Sequence, residues 1–235
     1  MTYSKKYLKR SALALTFFLA SLFAFSQTFS KEQLLGKIKP ASDTSFVRID
    51  KSLTTKPDIY LRKEAYNAFV EMHNAAKKEG VNIVIISATR TFDAQKVIWE
   101  KKWIRADYSK FSPAQRVREI MKYSSMPGTS RHHWGTDIDI NSLENNYFLS
   151  GEGKKTYEWM VKNAGMYGFY QTYTNKKKGR TGYEEEKWHW SYLPLARPML
   201  EAYLQNISYG DLIGFSGSEF AIENRVIEEY VKGIE

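Results

Sequence analysis

Hydrophobic positions follow two rhythms along this chain. Leu61, Ala65, Phe69, Met72 and Ala76 recur at spacings of three and four, which predicts a helix with one buried stripe, stopped at Gly80. Residues 81–88, VNIVIISA, form a continuous β-branched apolar run and predict a buried, central strand that delivers Arg90 just past its end. Helices are expected over 93–103, with Val97, Ile98 and Trp99 inward, and over 114–123, where Ser112 and Pro113 supply an N-cap and a first helical residue. Strict alternation then takes over. In TDIDI, residues 136–140, Asp137 and Asp139 share one strand face while Ile138 and Ile140 share the other. Residues 188–193, WHWSYL, put Trp188 and Trp190 on one face and His189 and Ser191 on the opposite one. Between them lie an amphipathic helix over 156–163 carrying Trp159, Met160 and Val161, a strand over 169–173 and a polar loop over 174–182. A short helix near 31–38 precedes all of this, and helices over 198–205 and 218–232 follow it.

This pattern predicts an α+β fold: a small, mainly antiparallel sheet flanked by helices. There is no internal repeat and no linker, so residues 27–235 read as one domain. The first ten residues, MTYSKKYLKR, carry four basic groups, and an apolar run over 12–25 follows, ending in Ser26. That order predicts a signal peptide over 1–26 and an exported protein, because the run falls short of the ~20 residues a span requires. Removing Lys5, Lys6, Lys9 and Arg10 leaves 31 basic against 26 acidic residues, a net charge of +5 in place of +9. A modest excess of that kind suits an anionic envelope polymer, and the basic run at 176–178 reads as a solvated loop, so no nucleic-acid partner is expected. No stable span is expected in the mature chain, which reads as a monomer.

The absence of cysteine restricts any metal to His, Asp and Glu ligands. Only four histidines are available, and two of them stand side by side in SRHHWGTDIDIN, residues 130–141. His132 and Asp139 lie seven apart across a glycine turn, and His189 follows on its own strand, with Glu186 three residues before it. Residues three apart on a regular strand face opposite ways, so Glu186 must occupy a bend before Trp188 if both are to address one ion. His73 reads as structural, His133 as packing behind His132, and Asp137 as a hydrogen-bond partner near the site. Glu184 and Glu185 read as solvated.

Ser130-x-His132-x-x-Gly135-x-x-x-Asp139, together with Glu186-x-Trp188-His189, resembles the paired signature of VanY-like D-alanyl-D-alanine carboxypeptidases, within the wider lysostaphin/D-Ala-D-Ala/hedgehog-type zinc fold. Ser87-x-x-Arg90 followed by Gln95 is similar to the arginine segment of that family, and the likeness runs from about residue 60 to 193. One departure is Asp137, where the family usually has alanine. The resemblance implies Zn2+ held by His132, Asp139 and His189, Glu186 as general base for the attacking water, and Arg90 stabilising the oxyanion. It also implies Ser130 and Gln95 as contacts to substrate; Asp137, outside the family's pattern, is placed behind the ligands by the strand face it shares with Asp139. The implied activity is removal of the terminal D-amino acid from peptidoglycan peptides. The alternatives are an L,D-carboxypeptidase or endopeptidase of the same fold, and a non-catalytic zinc-containing wall-binding module.

Overall fold

Residues 28–233 are described by the structure, a computed structural model, and the signal peptide expected at 1–26 lies outside them. In chain order come α1 (Lys31–Leu35), β1 (Phe46–Arg48), β2 (Tyr60–Arg62), α2 (Lys63–Lys78), β3 (Ile85–Ser87), α3 (Phe92–Trp103) and α4 (Ala106–Ser109). They are followed by α5 (Pro113–Ile120), β4 (Asp137–Ile140), α6 (Gly151–Asn163), β5 (Phe169–Gln171), β6 (His189–Tyr192) and α7 (Leu193–Asn206). The main sheet has four strands in the order β3-β4-β6-β5, every pair antiparallel, and β1 and β2 form a separate two-stranded ribbon.

Period-two alternation sorts the main sheet into two chemistries. Ile138 lies opposite Trp190 in the register, while Asp139 lies opposite His189 and Asp137 opposite Ser191. The apolar set, with Ile85, Ile140 and Phe169, packs against Phe69, Met72 and Ala76 of α2 and against Trp159 and Met160 of α6. The polar set is left on the other face. A second core, built from Trp99 of α3, Val117 and Ile120 of α5, and Met199, Leu200 and Tyr203 of α7, stands apart from the first. Cross-strand pairing fixes register, because a slip of one residue would bury the aspartates among the isoleucines.

Several elements depart from the sequence expectation for identifiable reasons. The strand expected over 81–88 is ordered in the ladder only at Ile85–Ser87, and it is an edge strand, not a central one. Asn141, at the positive φ of 57° that asparagine tolerates, bonds Val84 N–H through its side-chain oxygen and donates to the Asn82 carbonyl. Val81, Ile83, Ile85 and Ala88 are buried nevertheless, and residues 53–55 cover the outer edge through bonds from Ile85 N–H to Leu53 and from Thr55 N–H to Ile85. Leu61 is buried on β2, and the helix expected from it begins two residues later.

Val97, Ile98 and Trp99 are consecutive, hence about 100° apart on a helix, and cannot share a face. Trp99 is buried together with Phe92 and Gln95, and Val97 is exposed. Val161 of α6 is likewise exposed. The last expected helix is broken: a 3-10 turn at Ser218–Phe220 and a π-helical turn at Ile227–Lys232 flank Arg225, whose φ of 48° no helix accommodates.

Candidate metal centre and its cavity

The polar face of β4 and β6 floors a cavity of about 700 Å³, whose lining includes His132, Asp139, His189, Glu186 and Arg90. A 3-10 turn, Arg131–Trp134, presents His132, and Gly135 ends it in the left-handed region at φ 71°, where an added Cβ would strike the Phe46 ring. His132 Nδ1–H donates to the Ala88 carbonyl at 2.9 Å, which turns the Nε2 lone pair toward Asp139 Oδ2, 3.3 Å away. His189 is oriented from its other side, with Nε2 2.8 Å from Asp137 Oδ2 and Nδ1 3.0 Å from Asp139 Oδ1. The two imidazoles meet edge to face with centroids 4.8 Å apart, and the Tyr173 ring backs His189 at 4.3 Å. One nitrogen from each histidine and a carboxylate oxygen of Asp139 therefore converge, all within 4.8 Å of one another and all buried.

Burial alone would lower the pKa of His189, but hydrogen bonds to Asp137 and Asp139 overcome it and raise the ring to about 9. Burial also opposes ionisation of Asp137 and Asp139. The neighbouring Arg131 and His189 for the first, and His132 and His189 for the second, outweigh it and hold both carboxyls well below the usual range. His132 is lowered by burial, against the opposing pull of Asp139. Protonated at both nitrogens, His189 bridges two carboxylates; without its Nδ1 proton it aims a lone pair at the point that His132 Nε2 and Asp139 already face. Two imidazole nitrogens, each backed by a hydrogen bond on its other nitrogen, and one carboxylate are a donor set that zinc fits, and three ligands leave a position open.

Glu186 lies in the bend before β6, as the sequence required. Its N–H donates to the Tyr173 carbonyl at 2.9 Å, and its Oε2 lies 4.0 Å from His189 Nδ1. Burial, assisted by Asp139, pushes its carboxyl up to about 8 against the opposing charges of His189, Arg90 and Lys102. Arg90 is held by Ser87 Oγ at 3.1 Å and Gln95 Oε1 at 2.8 Å, with Asp139 Oδ2 3.9 Å away. The adjacent histidines also pin its main chain: Arg90 N–H donates to the His132 carbonyl at 3.0 Å, and His133 Nδ1 bonds the Arg90 carbonyl at 2.6 Å. His133 is buried, accepts from Gly128 N–H at 3.0 Å through Nε2, and is lowered by burial to about 3.

Neither Ser130 nor Gln95, expected to contact substrate, lines the cavity. Gln95 sits behind Arg90, its amide donating to the Ser125 carbonyl at 2.6 Å, and Ser130 is buried at the start of the 3-10 turn, its carbonyl accepting from His133 N–H. His73 is buried far from the site, with Nδ1 2.9 Å from the Ile83 carbonyl. Four residues outside the expected set of site residues matter here. Arg131 contacts Asp137 at 3.3 Å and Ser191 Oγ at 2.9 Å, and Ser191 Oγ in turn donates to Asp137 at 2.8 Å. Tyr183 and Lys102 line the cavity. Only Ser191 had a visible signal, since it shares the His189 face in WHWSYL.

The model of the family described as VanY, D-alanyl-D-alanine carboxypeptidase, matches residues 58–195, more than half of the chain. The chain belongs to this VanY family. Among its relatives, a D-alanyl-D-alanine carboxypeptidase of Enterococcus faecium is 34% identical over 139 residues, covering 59% of this chain and 39% of that protein. The chain spans less than half the length of three of the curated relatives it matches. The same fold occurs in VanYB in complex with D-alanine-D-alanine, with a TM-score of 0.54 at 23% identity over 72% of this chain and 87% of that one. It occurs also in the LdcB LD-carboxypeptidase, with a TM-score of 0.54 at 26% identity over 76% and 77% of the two chains. The VanY match covers both β4 and β6, and therefore all five residues gathered on the cavity floor.

Proposed function

We propose that this protein is a zinc carboxypeptidase that removes the C-terminal D-amino acid from peptidoglycan stem peptides, working outside the cytoplasm as a monomer. One observation carries the reading: His132 Nε2, His189 Nδ1 and the Asp139 carboxylate converge at the floor of a cavity that Glu186 and Arg90 also enter. Zinc bound there would supply positive charge that polarises water and the scissile carbonyl.

This chain's own groups do the rest. Glu186 takes the proton of the attacking water and passes it to the departing amine, a double duty open to a single carboxylate whose pKa lies near the working pH. Arg90, locked by Ser87, Gln95 and the two histidine contacts to its backbone, meets the carbonyl oxygen as it gains charge and needs no rearrangement to do so. Asp137 accepts from His189 Nε2–H and so fixes the tautomer that leaves Nδ1 free to ligate. The aspartate that departs from the family's usual alanine is thus part of a buried unit with Arg131 and Ser191.

Export is supported by the basic-then-apolar order of the first 26 residues, and no helix among the described residues is long and apolar enough to cross a membrane. A second reading, L,D-carboxypeptidase, is favoured by the equal TM-score of the LdcB enzyme. Mass spectrometry of products from pentapeptide, tetrapeptide and cross-linked muropeptides separates the cases. Loss of one D-alanine from the pentapeptide supports the proposal, and cleavage confined to the tetrapeptide or the cross-link overturns it.

A further inference from the structure

Glu186 stands on a stretch of chain that the sheet does not hold. It precedes β6, and the cross-strand register with β4 ends at His189 and with β5 at Trp190. Its carboxylate makes no hydrogen bond among the described residues, and His189 Nδ1 lies 4.0 Å away. A base that must take up and release a proton in each turnover is poorly served by permanent side-chain bonds. Its aim therefore has to come from the backbone beneath it.

That backbone is clamped by two side chains from elsewhere in the chain. Asn145, at the start of the 3-10 turn Asn145–Leu149, straddles Glu186: its amide nitrogen donates to the Glu185 carbonyl at 2.7 Å, and its oxygen accepts from Lys187 N–H at 3.0 Å. Gln171, the last residue of β5, donates through its amide nitrogen to the Glu186 carbonyl at 3.2 Å and to the Tyr173 carbonyl at 3.1 Å. The Tyr173 carbonyl also accepts the Glu186 N–H at 2.9 Å, and the Tyr157 hydroxyl fixes Gln171 by donating to its oxygen at 2.8 Å. The carbonyl of Glu185, both backbone groups of Glu186 and the N–H of Lys187 are thus paired without a neighbouring strand. Asparagine suits the straddling position because one planar group offers both a donor and an acceptor. Neither clamp is part of a local turn, since the bonds to Glu185 and Glu186 span 40 and 15 residues.

We propose that Asn145, assisted by Gln171, is a positioning residue for the general base, holding the peptides on either side of Glu186 so that its carboxylate stays turned into the cavity beside His189. The inference rests on the carboxypeptidase reading above, in which Glu186 moves the protons. Asn145 acts through Glu186, because its own amide is engaged on the backbone, and its loss costs rate and not substrate affinity. A displacement of about 1 Å at a reacting group is enough to cost about 10²-fold.

The test follows kcat and KM of the zinc-loaded protein on a blocked L-Lys-D-Ala-D-Ala tripeptide, beside amide hydrogen exchange over residues 184–188 in the metal-free protein. Asn145→Ala should lower kcat about 10- to 100-fold at little-changed KM, with zinc retained. It should also speed exchange at Glu186 and Lys187. Gln171→Met, which removes the donor to the two carbonyls, should give the same signature from the other side of the bend, and it carries the test if Asn145→Ala does not fold. Added to Glu186→Gln, either change should cost no further rate, because no base remains to be aimed. Equal fold losses with and without Glu186, as a structural residue or a direct substrate contact would give, overturn this inference. Full kcat or unchanged exchange in both single variants does so too, and each of these results leaves the carboxypeptidase reading standing. A zinc-loaded wild type that does not cleave the tripeptide, or a Glu186→Gln protein that cleaves it at full rate, overturns both.

Discussion

The floor and the wall of the cavity are built on opposite plans. On the floor, Asp137 is bonded by Thr136, Arg131, Ser191 and His189, and Asp139 by His189, with His132 Nε2 facing its other oxygen. On the wall, the Lys102 ammonium has no counter-ion among the described residues. Pre-satisfied groups in a dry site hold their geometry without reorganising, which a metal centre requires. Groups left unsatisfied are stabilised only when something arrives, which a substrate pocket requires. The difference teaches that the floor is preassembled while the wall is not, as the proposed zinc and peptide would require.

Breaking the floor at its chemical centre has the largest expected effect. Glu186→Gln should lower kcat by about 10²–10⁴ while one zinc per chain is retained, because the carboxylate moves protons and is not needed as a ligand; steady-state hydrolysis beside metal analysis checks this. Arg90→Met should cost about 10²–10³ in kcat/KM with zinc again retained, as for loss of one oxyanion donor. Asp137→Asn attacks the floor from behind. Zinc affinity measured by competition with a chelator should fall about 10- to 100-fold. The same change leaves Arg131 buried beside a neutral group, and an unpaired buried charge of this kind costs roughly 3–5 kcal/mol of stability. Adding Arg131→Met should recover much of that stability without recovering the zinc affinity. Recovery of both would show that Asp137 matters only as the partner of Arg131.

The smallest effect concerns His133, which belongs to neither floor nor wall but ties them together through Arg90. Its folded pKa is lowered to about 3 from an ordinary 6.5. Between those values the unfolded chain binds the proton and the folded chain does not, so this group's contribution is fully present above about pH 6.5 and is lost as the pH falls toward 3. Protonation at Nε2 would oppose the Gly128 N–H that Nε2 now accepts. Chemical unfolding of His133→Asn across this range should show a shallower acid-side slope than the wild type, with little difference in slope above pH 7.

Much of the floor could be read from the sequence because it depends on alternation within two four-residue strands. TDIDI and WHWSYL already separate Asp137, Asp139, His189 and Ser191 from Ile138, Ile140 and Trp190, and pairing the strands brings the polar set together. The α+β class and the antiparallel sheet followed from the same periods. The wall could not be read this way. Lys102 reaches the cavity from α3 and Tyr183 from the segment between β5 and β6; neither follows from local spacing. Burial misled at 81–88, where an apolar run reads as a central strand, whereas the sequence has no mark for the 53–55 segment that covers an edge. Gln95 enters the expected site through the resemblance, and the hydrogen bond that joins its amide to the Ser125 carbonyl spans thirty residues.

The central claim is that His132, Asp139 and His189 hold one catalytic zinc. Metal analysis after reconstitution and gel filtration, on the wild type and on His189→Ala, tests it most directly. The account predicts one zinc per wild-type chain and a loss of stoichiometric binding in His189→Ala. A wild-type protein that retains no stoichiometric zinc, or a His189→Ala protein that retains it fully, would contradict the account.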